Sequence, residues 1–141
     1  MSDFYKYFKE NMDALNLPAP ESLFGSLTAA VSTASTILGI IEKLGPSVTL
    51  REIIGAATKL EALAVIGAVS AAYYAGAVIG SIAVATGRTL ANGTSLGDVL
   101  FTAEKYNLKP DWLSKYLSSY PGIYRADVPG RAHYRHRLAM V

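Results

Sequence analysis

The chain has 141 residues, of which 51% are hydrophobic and only 17% charged, where an ordinary soluble domain carries about a quarter charged residues. Thirteen Lys and Arg against eleven Asp and Glu leave a net charge of +2, too small to favour nucleic acid or an acidic substrate, and the absence of cysteine excludes disulfide scaffolds, thiolate metal sites and cysteine nucleophiles. One domain's length with a mean hydropathy of +0.27 describes a small body whose apolar material meets something besides water.

From residue 3 to residue 17, Phe4, Phe8, Met12 and Leu15 recur at helical spacing with Asp3 as a cap, which predicts a short amphipathic helix. Lys6 and Lys9 are offset by Asp3, Glu10, Asp13 and Glu21, and Pro18 and Pro20 interrupt the chain before any long apolar run. That is not the pattern of a secretory signal, so the expectation is synthesis in the cytoplasm and, for any outside role, export by a dedicated machine. Pro20 suits the first turn of the next helix, where its missing N–H is not needed.

Residues 22–41 form a run of 20 without charge. Leu23, Phe24, Leu27, Val31, Ile37, Leu38, Ile40 and Ile41 make it apolar, while Ser26, Thr28, Ser32, Thr33, Ser35 and Thr36 make it only marginally so. Such a segment inserts poorly alone, and in a helical hairpin it would turn Ser26, Ser32, Thr33 and Ser35 toward a water-filled lumen as pore-lining groups. Leu44, Gly45 and Pro46 supply a glycine end followed by a proline stop.

Thr49 and Glu52 read as a capping box that opens another helix. Its early turns are charged, but residues 62–87 are a run of 26 without Asp, Glu, Lys, Arg or His. As one helix that run would be about 39 Å long, enough to cross roughly 30 Å of hydrocarbon with tilt. Within it Ala68, Ala72, Gly76 and Gly80 recur every fourth position, flanked by Gly67, Ala71 and Ala75, and Gly76 with Gly80 makes a GxxxG pair. Small residues stacked on one face let a second helix approach closely. Val65, Ile66, Val69, Tyr73, Val78, Ile79 and Ile82 give a bulky opposite face for lipid or a protein core. Glycine costs about 0.8–1 kcal/mol relative to alanine in a helix, so Gly67, Gly76, Gly80 and Gly87 need a compensating reason, and close packing is the simplest. Arg88 closes the uncharged run, and Asn92 and Gly93 end the predicted helix.

Ser95 with Asp98 caps a short helix carrying Leu96, Val99, Leu100 and Ala103 and ending near Asn107. Pro110 and Asp111 start another with Trp112, Leu113, Tyr116, Leu117 and Tyr120 on its apolar side, stopped by Pro121 and Gly122. The remainder is a basic, irregular tail in which Arg125, Arg131, Arg135 and Arg137 could contact a partner or lipid headgroups. The expected architecture is an all-α bundle in one domain: residues 1–20 as an amphipathic helix, 22–93 as a hydrophobic hairpin, 94–122 as short helices and 123–141 as the tail. His133 and His136 lack a carboxylate set to complete a metal site, and Asp98 and Glu104, six apart, do not share a helix face as an acid and base pair. No metal, cofactor or catalytic constellation is expected, which argues against an enzyme.

Over residues 22–93, with Gly67, Gly76, Gly80 and Gly87 in the uncharged run, the chain resembles the glycine-zipper segments of small pore-forming toxins that type VI secretion systems deliver between Gram-negative bacteria. The resemblance implies loading into the lumen of a secreted ring carrier protein and neutralisation by a cognate membrane immunity protein. It also implies self-association in the recipient inner membrane as narrow ion-selective pores that dissipate membrane potential. The lipid bilayer, not nucleic acid, is then the partner. Two other readings remain open: a helical adaptor whose uncharged helix is only a bundle core, and a resident two-span membrane protein such as a holin.

Overall fold

A computed structural model of the chain describes residues 3–45, 47–56, 60, 63, 70–87 and 95–124. Among the described residues there are seven α-helices and no strand: α1 (Asp3–Ala14), α2 (Glu21–Phe24), α3 (Leu27–Leu44), α4 (Leu50–Ala56), α5 (Ala71–Thr86), α6 (Leu96–Lys105) and α7 (Leu113–Ser119). A short 3-10 turn, Pro121–Ile123, follows. The protein is an all-α bundle built around α5, as the sequence predicts.

The local signals largely act where they stand. Ser95 and Asp98 form a reciprocal capping box at α6, and Thr49 and Glu52 do the same at α4, with the Glu52 side chain accepting the Thr49 N–H at 2.9 Å. Gly45 closes α3 at φ 101°, a conformation open to glycine at little cost. Two further ends use asparagine in the left-handed region. Asn16 follows α1 at φ 61°, with the Leu17 N–H donating to Met12 O and the Asn16 N–H to Asp13 O; Asn107 repeats the arrangement after α6 at φ 60°. Both are Schellman ends, which fold the next apolar residue, Leu17 or Leu108, back onto the core.

Two predicted runs are divided. The 22–41 run is broken between α2 and α3 because Ser26 takes an extended conformation and its side chain accepts the Ala29 N–H, capping a fresh helix. The 62–87 run does not form one 26-residue helix. Ser70 lies outside the helix at ψ 131°, its hydroxyl accepts the Tyr73 N–H, and it forms an antiparallel bridge with Thr49, while the Ala71 N–H donates to Val48 O. A serine with a backbone partner of its own is a better helix cap than a helix interior residue. The resulting α5 has 16 residues, about 24 Å at the helical rise. Leu60 and Leu63 are buried in the core, and the rest of the run before Ser70 lies outside the described residues.

The core is one cluster to which every helix contributes. Phe8 stacks on Phe4 and Phe24 at 5.5 and 4.9 Å between centroids, uniting α1 and α2. Leu50 and Ile53 come from α4, Val99 and Ala103 from α6, Leu113 and Leu117 from α7. All converge on α5, in which every residue from Ala71 to Val84 is buried. Burial of a Val or Ile side chain contributes about 1.5–3 kcal/mol, so Val78, Ile79 and Ile82 make α5 a principal source of the bundle's stability.

Candidate helix-packing site on the buried helix

The predicted packing face and the predicted bulky face of α5 are both enclosed by the rest of the chain. On the bulky side Tyr73 meets Tyr120 edge to face at 5.7 Å, and the aromatic row continues through Tyr116 to Trp112 at 5.6 Å steps. The Tyr116 and Ser70 hydroxyls share a hydrogen bond of 3.3 Å that joins α7 to the start of α5. The Tyr74 hydroxyl donates to Pro18 O at 2.7 Å and ties α5 to the segment after α1. Val78, Ile79 and Ile82 are buried, whereas Val65, Ile66 and Val69 lie outside the described residues.

On the small-residue side, Gly76 and Gly80 form a notch that receives Ile123. A β-carbon at Gly76 would meet Ile123 Cδ1 at 3.8 Å, an ordinary contact; at Gly80 it would stand 2.5 Å from Ile123 Cγ2, closer than packed atoms come. Ile123 is fully buried there. Its backbone is held by α1, because the Asn11 side-chain amide donates at 2.8 Å both to Ile123 O and to Ser81 Oγ on α5. One asparagine thus joins three parts of the chain inside the core.

The predicted zipper residues therefore have different fates. Gly76 and Gly80 act together, and Ala72 is buried one turn earlier. Gly87 belongs to a separate function: it is the C-cap of α5, donating its N–H to Ala83 O at 2.9 Å, and a β-carbon there would meet only that carbonyl. Gly67 and Ala68 lie outside the described residues.

The four predicted pore-lining residues do not share a face. Ser32 and Ser35 are exposed on the outer side of α3, in line with exposed Thr28 and Gly39. Ser26 is the α3 cap. Thr33 is buried on the other side, its hydroxyl donating to Leu23 O at 2.8 Å. At 100° per residue Thr33 and Ser35 point about 160° apart, so they cannot line one lumen from this helix. Thr33 is a fastener between α2 and α3.

Arg125, Arg131, Arg135 and Arg137 lie outside the described residues, as do His133 and His136. Among the described residues no three His, Asp or Glu side chains gather as a metal site would require. Asn11 and Ile123 are the two important residues that sequence reasoning missed. Asn11 had a signal, since it is a polar residue on the Phe8, Met12 and Leu15 side of α1; Ile123, between Gly122 and Tyr124, had none. No family model, curated protein or solved structure matches the chain.

Proposed function

We propose that the chain is a non-enzymatic pore-forming antibacterial protein, stored as a water-compatible bundle and inserted into a recipient's inner membrane. The observation that carries this reading is α5: a helix without a charged residue, buried along Ala71 to Val84 beneath the other helices of the bundle. Apolar helices enclosed in this way have a second low-energy environment, the hydrocarbon layer, where every backbone bond of a helix stays satisfied. The α3 helix (Leu27–Leu44) supports the same reading, being the one described helix long and apolar enough to cross a membrane. It is its exposed stripe, Thr28, Ser32, Ser35 and Gly39, that would face water in a pore.

In this account the main inserting helix is α5 extended through Ser70 into the uncharged residues before it, since 24 Å is short of the roughly 30 Å layer. Leaving the bundle breaks the Ser70 bridge to Thr49 and allows that extension. Gly76 and Gly80 then meet a second copy, and self-association yields narrow ion-conducting pores that collapse the membrane potential. The proposed partners are lipid, a secreted ring carrier and a membrane immunity protein; no nucleic acid or cofactor takes part.

A second reading is favoured by the short length of α5 and by its burial from Ala71 to Val84: a helical adaptor with α5 as its permanent core. Fractionating cells that produce the chain separates the readings. The pore-former distributes between the soluble and membrane fractions, the adaptor stays wholly soluble, and a resident two-span protein is wholly membrane-bound. The proposal fails if no membrane-embedded, carbonate-resistant pool forms.

A further inference from the structure

The uncharged run of 20 residues, 22–41, is interrupted by a single bend of the chain. We propose that Ser26 is a one-residue hinge: extended in the water-compatible bundle, where it separates α2 from α3, and helical in the bilayer, where α2 and α3 become one spanning helix. This rests on the membrane reading above and adds which residues make the second span and what changes for it to form.

Only Gly25 and Ser26 stand between the two helices. Gly25 already has helical angles, φ −66° and ψ −15°, so the chain changes direction at Ser26 alone, at φ −143° and ψ 165°. As they stand, the pieces do not fit a bilayer. The uncharged part of α3, residues 27–41, is about 22 Å long at the helical rise, against a hydrocarbon layer of roughly 30 Å. Joined to α2 through Ser26, residues 22–41 reach about 30 Å. Glu21 then stands at one end of the span and Glu42 with Lys43 at the other, where the two aqueous boundaries receive them.

The hydrogen bonds give the two environments opposite preferences. In the bundle Ser26 Oγ accepts the Ala29 N–H at 3.1 Å, the buried Thr33 hydroxyl donates to Leu23 O at 2.8 Å, and Phe24 is fully buried against Phe8. The bend leaves the Leu27 and Thr28 N–H groups, the first two of α3, without a carbonyl one turn behind them. Thr28 is exposed and Leu27 half-buried, so water can serve both. In hydrocarbon nothing serves them, and an unsatisfied N–H is costly there. Rotating Ser26 into the helical region gives Leu27 the carbonyl of Leu23 and Thr28 that of Phe24, and the Ala29 N–H passes to Gly25 O. The Thr33 hydroxyl then turns to the carbonyl one turn back in its own helix, as Thr36 already does toward Ser32 O at 3.0 Å. Two backbone donors gain acceptors, and the side-chain donor keeps one.

The test uses the full chain and vesicles of phosphatidylethanolamine and phosphatidylglycerol. Carbon-13 shifts of the Ser26 Cα and Cβ, identified by their loss in Ser26→Ala, read the backbone at the hinge directly. Extended values are expected for the protein in water and helical values for its vesicle-embedded, carbonate-resistant form. The variant Leu27→Pro separates the two states by chemistry. Proline fits the first position of a helix that follows an extended residue, as in the bundle, but in a continuous helix it removes the bond to Leu23 O and crowds that carbonyl. Compared with Leu27→Ala, which trims the same side chain, Leu27→Pro should unfold at a similar urea concentration in water and embed several-fold less. Embedded protein with Ser26 still extended overturns the hinge and leaves the membrane reading standing, as does equal embedding of the proline and alanine variants. A chain with no embedded form in any variant overturns the membrane reading, and the hinge with it.

Discussion

Gly80→Leu lowers the stability of the bundle by about 2–3 kcal/mol, the usual cost of forcing bulk into a filled core, whereas Gly76→Ala is neutral or stabilising. The two glycines look alike in the sequence, four apart on one helix face, but they stand differently toward Ile123. A new β-carbon at position 76 finds Ile123 Cδ1 at contact distance, and alanine there recovers part of the roughly 0.8–1 kcal/mol that glycine costs a helix. At position 80 the β-carbon alone collides with Ile123 Cγ2, a branch that sits at the stem of its side chain and moves little without the backbone. Urea unfolding followed by circular dichroism measures both. Adding Ile123→Ala to Gly80→Leu should restore part of the loss, since the two positions share one space and their effects do not add. Equal effects of bulk at the two glycines would mean that Ile123 does not occupy the notch.

Replacing Asn11 by alanine costs about 2 kcal/mol, and replacing it by aspartate costs more. Asn11 donates both amide protons' worth of bonding capacity to Ser81 Oγ and Ile123 O, in a place where Ser81 and Ile123 are fully buried. Loss of the donor leaves the Ile123 carbonyl desolvated without that bond, the expensive half of a hydrogen-bond deletion; Ser81 is partly relieved because a helical serine can turn to the carbonyl one turn back. An ionised aspartate keeps the shape but has no proton to donate, and its charge is buried facing two oxygens. That raises its pKa in the folded state, so the folded form binds a proton that the unfolded form has released. The Asn11→Asp protein should accordingly lose stability as pH rises through and above the ordinary aspartate range, and be more stable in mild acid than at neutral pH. Thermal unfolding at the two pH values checks the sign, and a pH-independent loss would contradict a buried donor at Asn11.

How much of this was legible depended on whether the information was local. The Thr49 and Ser95 capping boxes, the Gly45 end and the stop at Pro121 rest on residues three or four apart, and each forms as the spacing predicts. The uncharged 62–87 segment predicts one long helix for lipid or a protein core; the helix that forms in it is Ala71–Thr86, buried in the core from Ala71 to Val84. The break at Ser70 was not legible, because one hydroxyl in an apolar run reads as tolerable until Val48 and Thr49 arrive from elsewhere to engage its backbone neighbourhood. Thr33 differs for another reason. Composition groups the hydroxyls of α3 together, but the 100° step between Ser32 and Thr33 separates surface from core. The spacing of Gly76 and Gly80 predicts the approach of a second helix; what stands against them in the bundle is Ile123, more than forty residues later, which nothing local announces.

The most direct test of the central claim is membrane potential in bacteria producing this chain without any neighbouring gene, read with a voltage-sensitive dye beside a large impermeant DNA stain. A narrow pore built from α3 and α5 depolarises the cells quickly while the large stain stays out. Cells that remain polarised while producing the chain would contradict pore formation and leave α5 as the permanent core of a helical adaptor.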